Sequence, residues 1–331
     1  MKRHLLFIAV LIAASHAALS AIGTITEIKL ADGYNDDNRI TAPVFDAAGV
    51  PAIGVAIKSG FDRSAKIVRR GATGFFTRGP EYNLDKRVDL AATFAEALRA
   101  EATALGFRVA SGTDAGWRID GTIKDVYLES KQIPYGATLF YGYLDLDAEV
   151  TGPAGRAERR PMRFHTYYGG YNAGMGRKDE AGEALANLLV EGAQEAISRL
   201  NRSLFKAVPR AEIAAKAGQL RAGTDLGNNL YVVGLAGDAS TAQALLAIVS
   251  NEVDENRRSA LINALARIGA ADAVAPLAAR YGTEDEDCRW YILKAMDYIG
   301  GDAALTLVKK QGLKDKDGGP RRLAERVASG W

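Results

Sequence analysis

Arg258-Ser259-Ala260-Leu261-Ile262-Asn263-Ala264-Leu265-Ala266-Arg267-Ile268-Gly269 aligns without a gap on Arg289-Trp290-Tyr291-Ile292-Leu293-Lys294-Ala295-Met296-Asp297-Tyr298-Ile299-Gly300, each residue displaced by 31 positions (289 − 258 = 31). In both copies the apolar residues recur at helical spacing: Leu261, Ala264, Leu265 and Ile268 in one, Ile292, Ala295, Met296 and Ile299 in the other. After each closing glycine comes Asp272 or Asp302, then a second short helical pattern over 273–281 or 303–311. A looser copy ends at Val232, Val233 and Gly237. Helix pairs repeating with such a period cannot bury their apolar stripes alone, so they stack on their neighbours.

These units resemble the short HEAT-like repeats named after phycobilisome lyases. The resemblance implies a short all-α solenoid over residues 224–331, closed by a last helix at 321–331. It also implies that the turn aspartates Asp238, Asp272 and Asp302 and the helix arginines Arg258 and Arg289 are structural, pairing between neighbouring repeats. Lyase activity does not follow, because no matching catalytic constellation is present.

Upstream, residues 22–205 read as a two-layer α+β domain, an antiparallel meander plus two helices, and 206–223 as a linker or connector helix. Strands are expected over 24–30, 53–57, 117–129, 139–150 and 161–168. In the fourth, Phe140, Leu144, Leu146, Ala148 and Val150 share one face while Tyr141, Tyr143, Asp145, Asp147 and Glu149 share the other. In the fifth, Phe164 and Tyr168 oppose Arg163, His165 and Tyr167. One helix starts near Asp85 as its cap and ends at Gly106; a second carries Leu185, Leu188, Leu189, Ala193, Ala196, Ile197, Leu200 and Leu204. Val55-Ala56-Ile57 followed by Asp62-Arg63, a basic loop, and a helix leading into Phe107-Arg108-Val109 give this stretch a resemblance to the YajG-like envelope lipoproteins. It lacks that family's lipidated cysteine, so outer-membrane anchoring is not expected, and the family brings no catalytic residues.

Met1-Lys2-Arg3-His4, the apolar run 5–14 and the small residues that follow have the three parts of a secretory signal, residues 1–21, with cleavage between Ala17 and Ala21. The run is about half the ~20 residues that span a bilayer, and no second one follows. A periplasmic location is therefore expected. A net charge of +2 argues against nucleic acid as a partner. The single cysteine, Cys288, allows no internal disulfide.

Groups for chemistry are few. Removing the signal takes His4 and His16 and leaves His165. No nucleophile elbow accompanies it, and one His with a distant Cys falls short of a zinc set. The acidic loop 32–38 lacks the spacing of a calcium hand, and the Gly-rich segment 169–176 lacks the dinucleotide fingerprint. No catalytic residue, metal or cofactor is expected. Asp145 and Asp147, about 7 Å apart on one strand face, are the exception that keeps an envelope polysaccharide hydrolase open as the alternative. A lipid or small-ligand carrier built on the α+β domain is a third reading. The leading expectation is a non-catalytic protein-binding or scaffolding role in the bacterial envelope. Its partner surfaces would be Tyr141, Tyr143, His165 and Tyr167 on the polar sheet face and Trp290, Lys294 and Asp297, spaced i, i+4 and i+7 off the buried helix stripe.

Overall fold

The computed structural model describes residues 22–35, 38–70, 81–110, 114–132, 138–168, 180–221 and 229–330. The signal segment 1–21, most of the basic loop and the Gly-rich segment lie outside them. Alternation in the sequence becomes a meander of three long strands, β6 (Trp117–Gln132), β7 (Thr138–Thr151) and β8 (Ala157–Tyr168). Phe140, Leu144, Leu146, Ala148 and Val150 of β7 enter the core beneath two helices, as their parity requires. Strand β6 carries an irregularity between Ile123 and Asp125. The extra residue, Lys124, lets Ile119 and Ile123 share the core face with Val126 and Leu128; without it the second pair would point outward.

The sheet is mixed, which corrects the expectation of a purely antiparallel meander. Strands β3 (Ile53–Ser59) and β4 (Val68–Arg70) run parallel to successive halves of β6, β5 (Glu81–Leu84) is antiparallel to β4, and β1 (Ile22–Ile25) is parallel to β5. Parallel neighbours need a crossover, and helix α1 (Leu90–Ala104) lies in the connection leading to β6. Alternation shows which face a residue takes and says nothing about pairing direction. The first strand is also shorter than expected, because a 3₁₀ turn, Leu30–Gly33, follows it.

Helix α1 begins at Asp89, whose carboxylate accepts the Ala92 N–H at 3.0 Å. Asp85, the expected cap, instead accepts from the Arg87 backbone and guanidinium. Helix α2 (Glu180–Leu200) lies beside α1 under the sheet and runs into a π-helical turn, Asn201–Phe205. Its apolar stripe is buried, but so are Gln194, Glu195 and Ser198, because its far side meets the C-terminal helices, and Asn187, which bonds Thr166 of β8 and the Gly33 carbonyl. A two-stranded ribbon, β2 (Phe45–Asp46) with β9 (Val208–Pro209), leads to α3 (Ala211–Arg221).

The C-terminal region is helical: α4 (Asn229–Ala236), α5 (Ala239–Val249), α6 (Glu255–Ile268), α7 (Val274–Arg280), α8 (Glu286–Ile299), α9 (Gly301–Lys310) and α10 (Gly318–Ser329). Helices α4, α6, α8 and α10 pack in sequence, with α5, α7 and α9 against them as a second layer. Asp238, Asp254 and Asp285 cap α5, α6 and α8. Gly269 and Gly300 take φ of 69° and 71° to end α6 and α8, where a side chain would be strained.

The repeat arginines find other partners than expected. Arg258 Nε donates to Glu284 Oε2 at 2.6 Å and Arg289 Nε to Asp315 Oδ2 at 2.8 Å, each reaching 26 residues ahead (284 − 258 = 315 − 289 = 26). They extend further to the next helix's N-terminal aspartate, Asp285 or Asp317. Asp272 and Asp302 are exposed and touch neither arginine. The reason is direction: each arginine points to the start of the next first-layer helix, whereas the turn aspartates open the second layer on the solvent side.

Candidate functional site

The polar-looking face of the sheet is covered by the chain's own C-terminal helices. Tyr141, Tyr143 and His165 are 2%, 0% and 1% exposed, and Trp290 and Lys294 are 1% and 0%. Asp297 is also buried, and Tyr167 packs at the edge of the same cluster. These seven residues, expected on two free surfaces, face one another instead. Helix α8 lays Trp290 against Tyr141 and Tyr167, with ring centroids 6.0 and 6.2 Å apart. Tyrosine suits a wet recognition face and a dry interface with hydrogen-bond partners equally well, so the residue types alone misplace them.

Many polar groups at this seam are paired, although the Tyr143 hydroxyl, His165 Nδ1, Trp290 Nε1 and Arg326 Nε are buried with no hydrogen-bond partner among the described residues. His165 Nε2 donates to Asp297 Oδ2 at 2.8 Å, which fixes the tautomer because a carboxylate only accepts. Burial lowers the His165 pKa, so the ring is neutral at pH 7. Arg163 Nη1 also donates to Asp297, at 3.1 Å. Deeper in the seam, Glu195 Oε1 accepts from Lys294 Nζ at 2.8 Å and from Arg267 Nε at 3.2 Å, and Oε2 accepts from the Tyr298 hydroxyl. Burial alone would raise the Glu195 carboxyl, but Lys294, Arg267 and Arg199 together hold it at about 2. Lys294 is thus a buried ion-pair partner and not a surface contact.

The last helix completes the cover. Arg326 lies between the Tyr127 and Tyr143 rings, at 5.1 and 5.3 Å, with Asp145 at 2.6 Å and Asp125 at 3.2 Å. Gly319 sits so close that a Cβ there would lie 2.7 Å from Tyr141 Cζ. Arg163 Nη2 donates to the Gly330 carbonyl at 2.6 Å. Helix α8 also contributes Glu286, which takes Lys131 at 2.8 Å and the Tyr141 hydroxyl at 3.0 Å.

Sequence reading missed Glu195, Arg267, Tyr298 and Arg326. The available signal was Glu195 among Ala193, Ala196 and Ile197, a charge set into an apolar helix, which calls for a partner without naming it.

Where this cover ends, a cleft of about 430 Å³ remains on the outer face of β7 and β8, lined among others by Lys124, Asp145, Asp147, Arg159, Pro161 and Arg163. Arg159 clamps Asp147 through bonds of 2.8 and 2.6 Å. That contact holds the Asp147 carboxyl below its ordinary range, the opposite of what a general acid for glycoside cleavage needs. Elsewhere, Glu284, Asp285 and Cys288 bring ligand-type atoms within 4.8 Å of one another. Arg258 and Arg280 already hold Glu284, Asp285 caps α8, and burial pushes the Cys288 thiol up, so this donor set is committed to structure.

Residues 242–329 match the family of HEAT repeats. Among curated proteins, none matches at a significant level. Among solved structures, the chain is similar to protein XCC0632 from Xanthomonas campestris, family DUF330, at 9% identity over 54% of this chain and 93% of that one, with a TM-score of 0.33. A minor lipoprotein from Acinetobacter baumannii is similar at 10% identity over 49% and 96%, TM-score 0.28. PelC from Paraburkholderia phytofirmans, a dodecamer, is similar at 8% over 46% and 90%, TM-score 0.24. No helix among the described residues is long and apolar enough to cross a membrane.

Proposed function

We propose that this chain is a non-catalytic protein-binding or scaffolding protein of the bacterial envelope, exported to the periplasm by residues 1–21. The observation that carries the binding part is the HEAT match over 242–329, read as a short solenoid with one layer docked on its own sheet and the other left open. Repeat stacks of this kind present partner surfaces. The open layer is α5, α7 and α9, whose exposed residues include Gln243, Ala275, Pro276, Ala303, Thr306 and Lys310. The partner surface thus moves from the tyrosines and Trp290 to these outer helices. Export rests on the three-part pattern at the N-terminus.

In-cell crosslinking of the tagged full chain, followed by mass spectrometry, tests this reading. Envelope proteins crosslinked to α5, α7 and α9, and lost on Gln243→Arg with Thr306→Arg, are the expected result. Retention of the chain in the cytoplasm, or no specific crosslink from that layer, would sink it.

A further inference from the structure

The cleft at the end of the seam has chemistry that neither the docking of the helices nor a protein-binding role uses. Its carboxylates already carry counter-charges: Asp147 has Arg159, Asp145 has Arg326 at 2.6 Å, and Asp297 has Arg163. A cationic ligand would have to break one of these pairs, and an anion would have to compete with Asp147 for Lys124 and Arg159. A hydroxyl need do neither. It donates one bond and accepts others, so it can give its proton to a spare carboxylate lone pair and accept from a neighbouring N–H.

Donors are in place for this. Arg159 spends Nε and Nη2 on Asp147, and among the described residues its Nη1 makes no bond. Lys124 Nζ stands 3.9 Å from Asp147 Oδ2, beyond hydrogen-bond distance. The Arg159 and Lys124 side chains are 74% and 57% exposed, so both reach a ligand without unfolding. On β8 beside Arg159, exposed Pro161 lies directly across from Asp147 in the β7–β8 register, an apolar ring among polar groups. Alternating C–H and O–H surface is what a sugar ring offers. The cleft's volume falls in the range of about 300 to 1,000 Å³ that holds small ligands.

We infer that this cleft binds a neutral saccharide unit without cleaving it, with Asp147 accepting from the ring hydroxyls, Arg159 and Lys124 donating to them, and Pro161 against the C–H face. The low carboxyl pKa of Asp147 keeps it an acceptor throughout the neutral range and denies it a proton to give.

The test is ligand-observed saturation-transfer NMR on the full chain with glucose, galactose and N-acetylglucosamine, and with glucuronate and inorganic phosphate as charged probes. A neutral sugar binding at roughly millimolar Kd, weakened tenfold or more by Arg159→Ala and by Asp147→Asn in proteins of unchanged thermal midpoint, is the expected result. Should Asp147→Asn lower that midpoint, Arg159→Ala with Lys124→Ala decides alone. Three outcomes would overturn the inference: no neutral sugar binds, only the charged probes bind, or the variants leave affinity unchanged. None of these bears on the outer-helix surface, so this site and the protein-binding role fail separately.

Discussion

Glu195 and Lys294 are 2% and 0% exposed, and neither could be buried alone. Replacing Glu195 by Ala leaves Lys294 without its anion and Arg267 with Glu191 alone, at 3.5 Å, for an expected loss of about 3 to 5 kcal/mol in chemical denaturation. Adding Lys294→Met should recover part of it, whereas independent roles would make the losses add. Trp290→Ala, at the centre of the seam, should cost about 3 to 5 kcal/mol by the same measurement. Asp287 gives the opposite sign in pH. Burial, together with Glu286 and Asp285, pushes its carboxyl up to about 6 from an ordinary 3.8. The folded state therefore holds the proton more tightly than the unfolded one. That stabilising contribution is complete below the unfolded pKa and is lost as pH rises through about 6. Thermal midpoints should show Asp287→Asn more stable than the parent at pH 7.5, with the gap closing toward pH 5. Glu195, with its carboxyl near 2, works the other way: its contribution is present above the ordinary carboxylate range and fades only as pH falls toward 2.

At the level of elements, the repeat arginines and the capping aspartates share one corner of each unit. Arg289→Ala leaves Asp315 buried without its ion pair and should cost several times more than Asp272→Ala, which removes an exposed carboxylate and should change stability by less than about 0.5 kcal/mol. Urea midpoints of the two variants check this; equal losses would restore the turn aspartate as the partner. The same corner shows what a sequence discloses. The period of 31 and the stripes through Leu261 and Ile292 placed the helices, since periodicity is a local property of the chain. The partner of Arg258 was hidden because Asp272, Glu284 and Asp285 are equally good carboxylates until their directions are known. Likewise the parity of Phe140 and Tyr141 was readable, whereas the parallel pairing of β3 with β6 was not.

For the whole molecule, sheet and helices share a seam of fully buried rings and buried ion pairs, which a sliding contact would expose. One cooperative unfolding transition is expected, with tryptophan fluorescence (Trp117 in the sheet, Trp290 in α8) and far-ultraviolet circular dichroism giving the same midpoint; separated midpoints would mean the two regions are independent. This also explains why function was less readable than fold. Tyr141, Tyr143, His165 and Tyr167 have the composition of a recognition surface, and they do recognise something, but the something lies more than a hundred residues further along the same chain. No window of sequence reports on that.

The sheet edge and the arginine clasp add a matter of timing. Strand β8 is protected by Pro161, which has no N–H, by Arg199 on the Arg163 carbonyl and by the Tyr298 hydroxyl on the His165 N–H. Tyr298 comes 133 residues after the strand atom it covers, and Arg326 comes 201 residues after Asp125. Between the end of β8 and the end of α10 lie 161 residues (329 − 168). At ~5 to 20 residues per second, their synthesis takes on the order of ten to thirty seconds. Throughout that interval the tyrosine face and the strand edge are both bare. Wherever the chain folds, its first region is therefore most prone to wrong pairing for as long as the last helix is missing, and whatever shelters it must act in that interval.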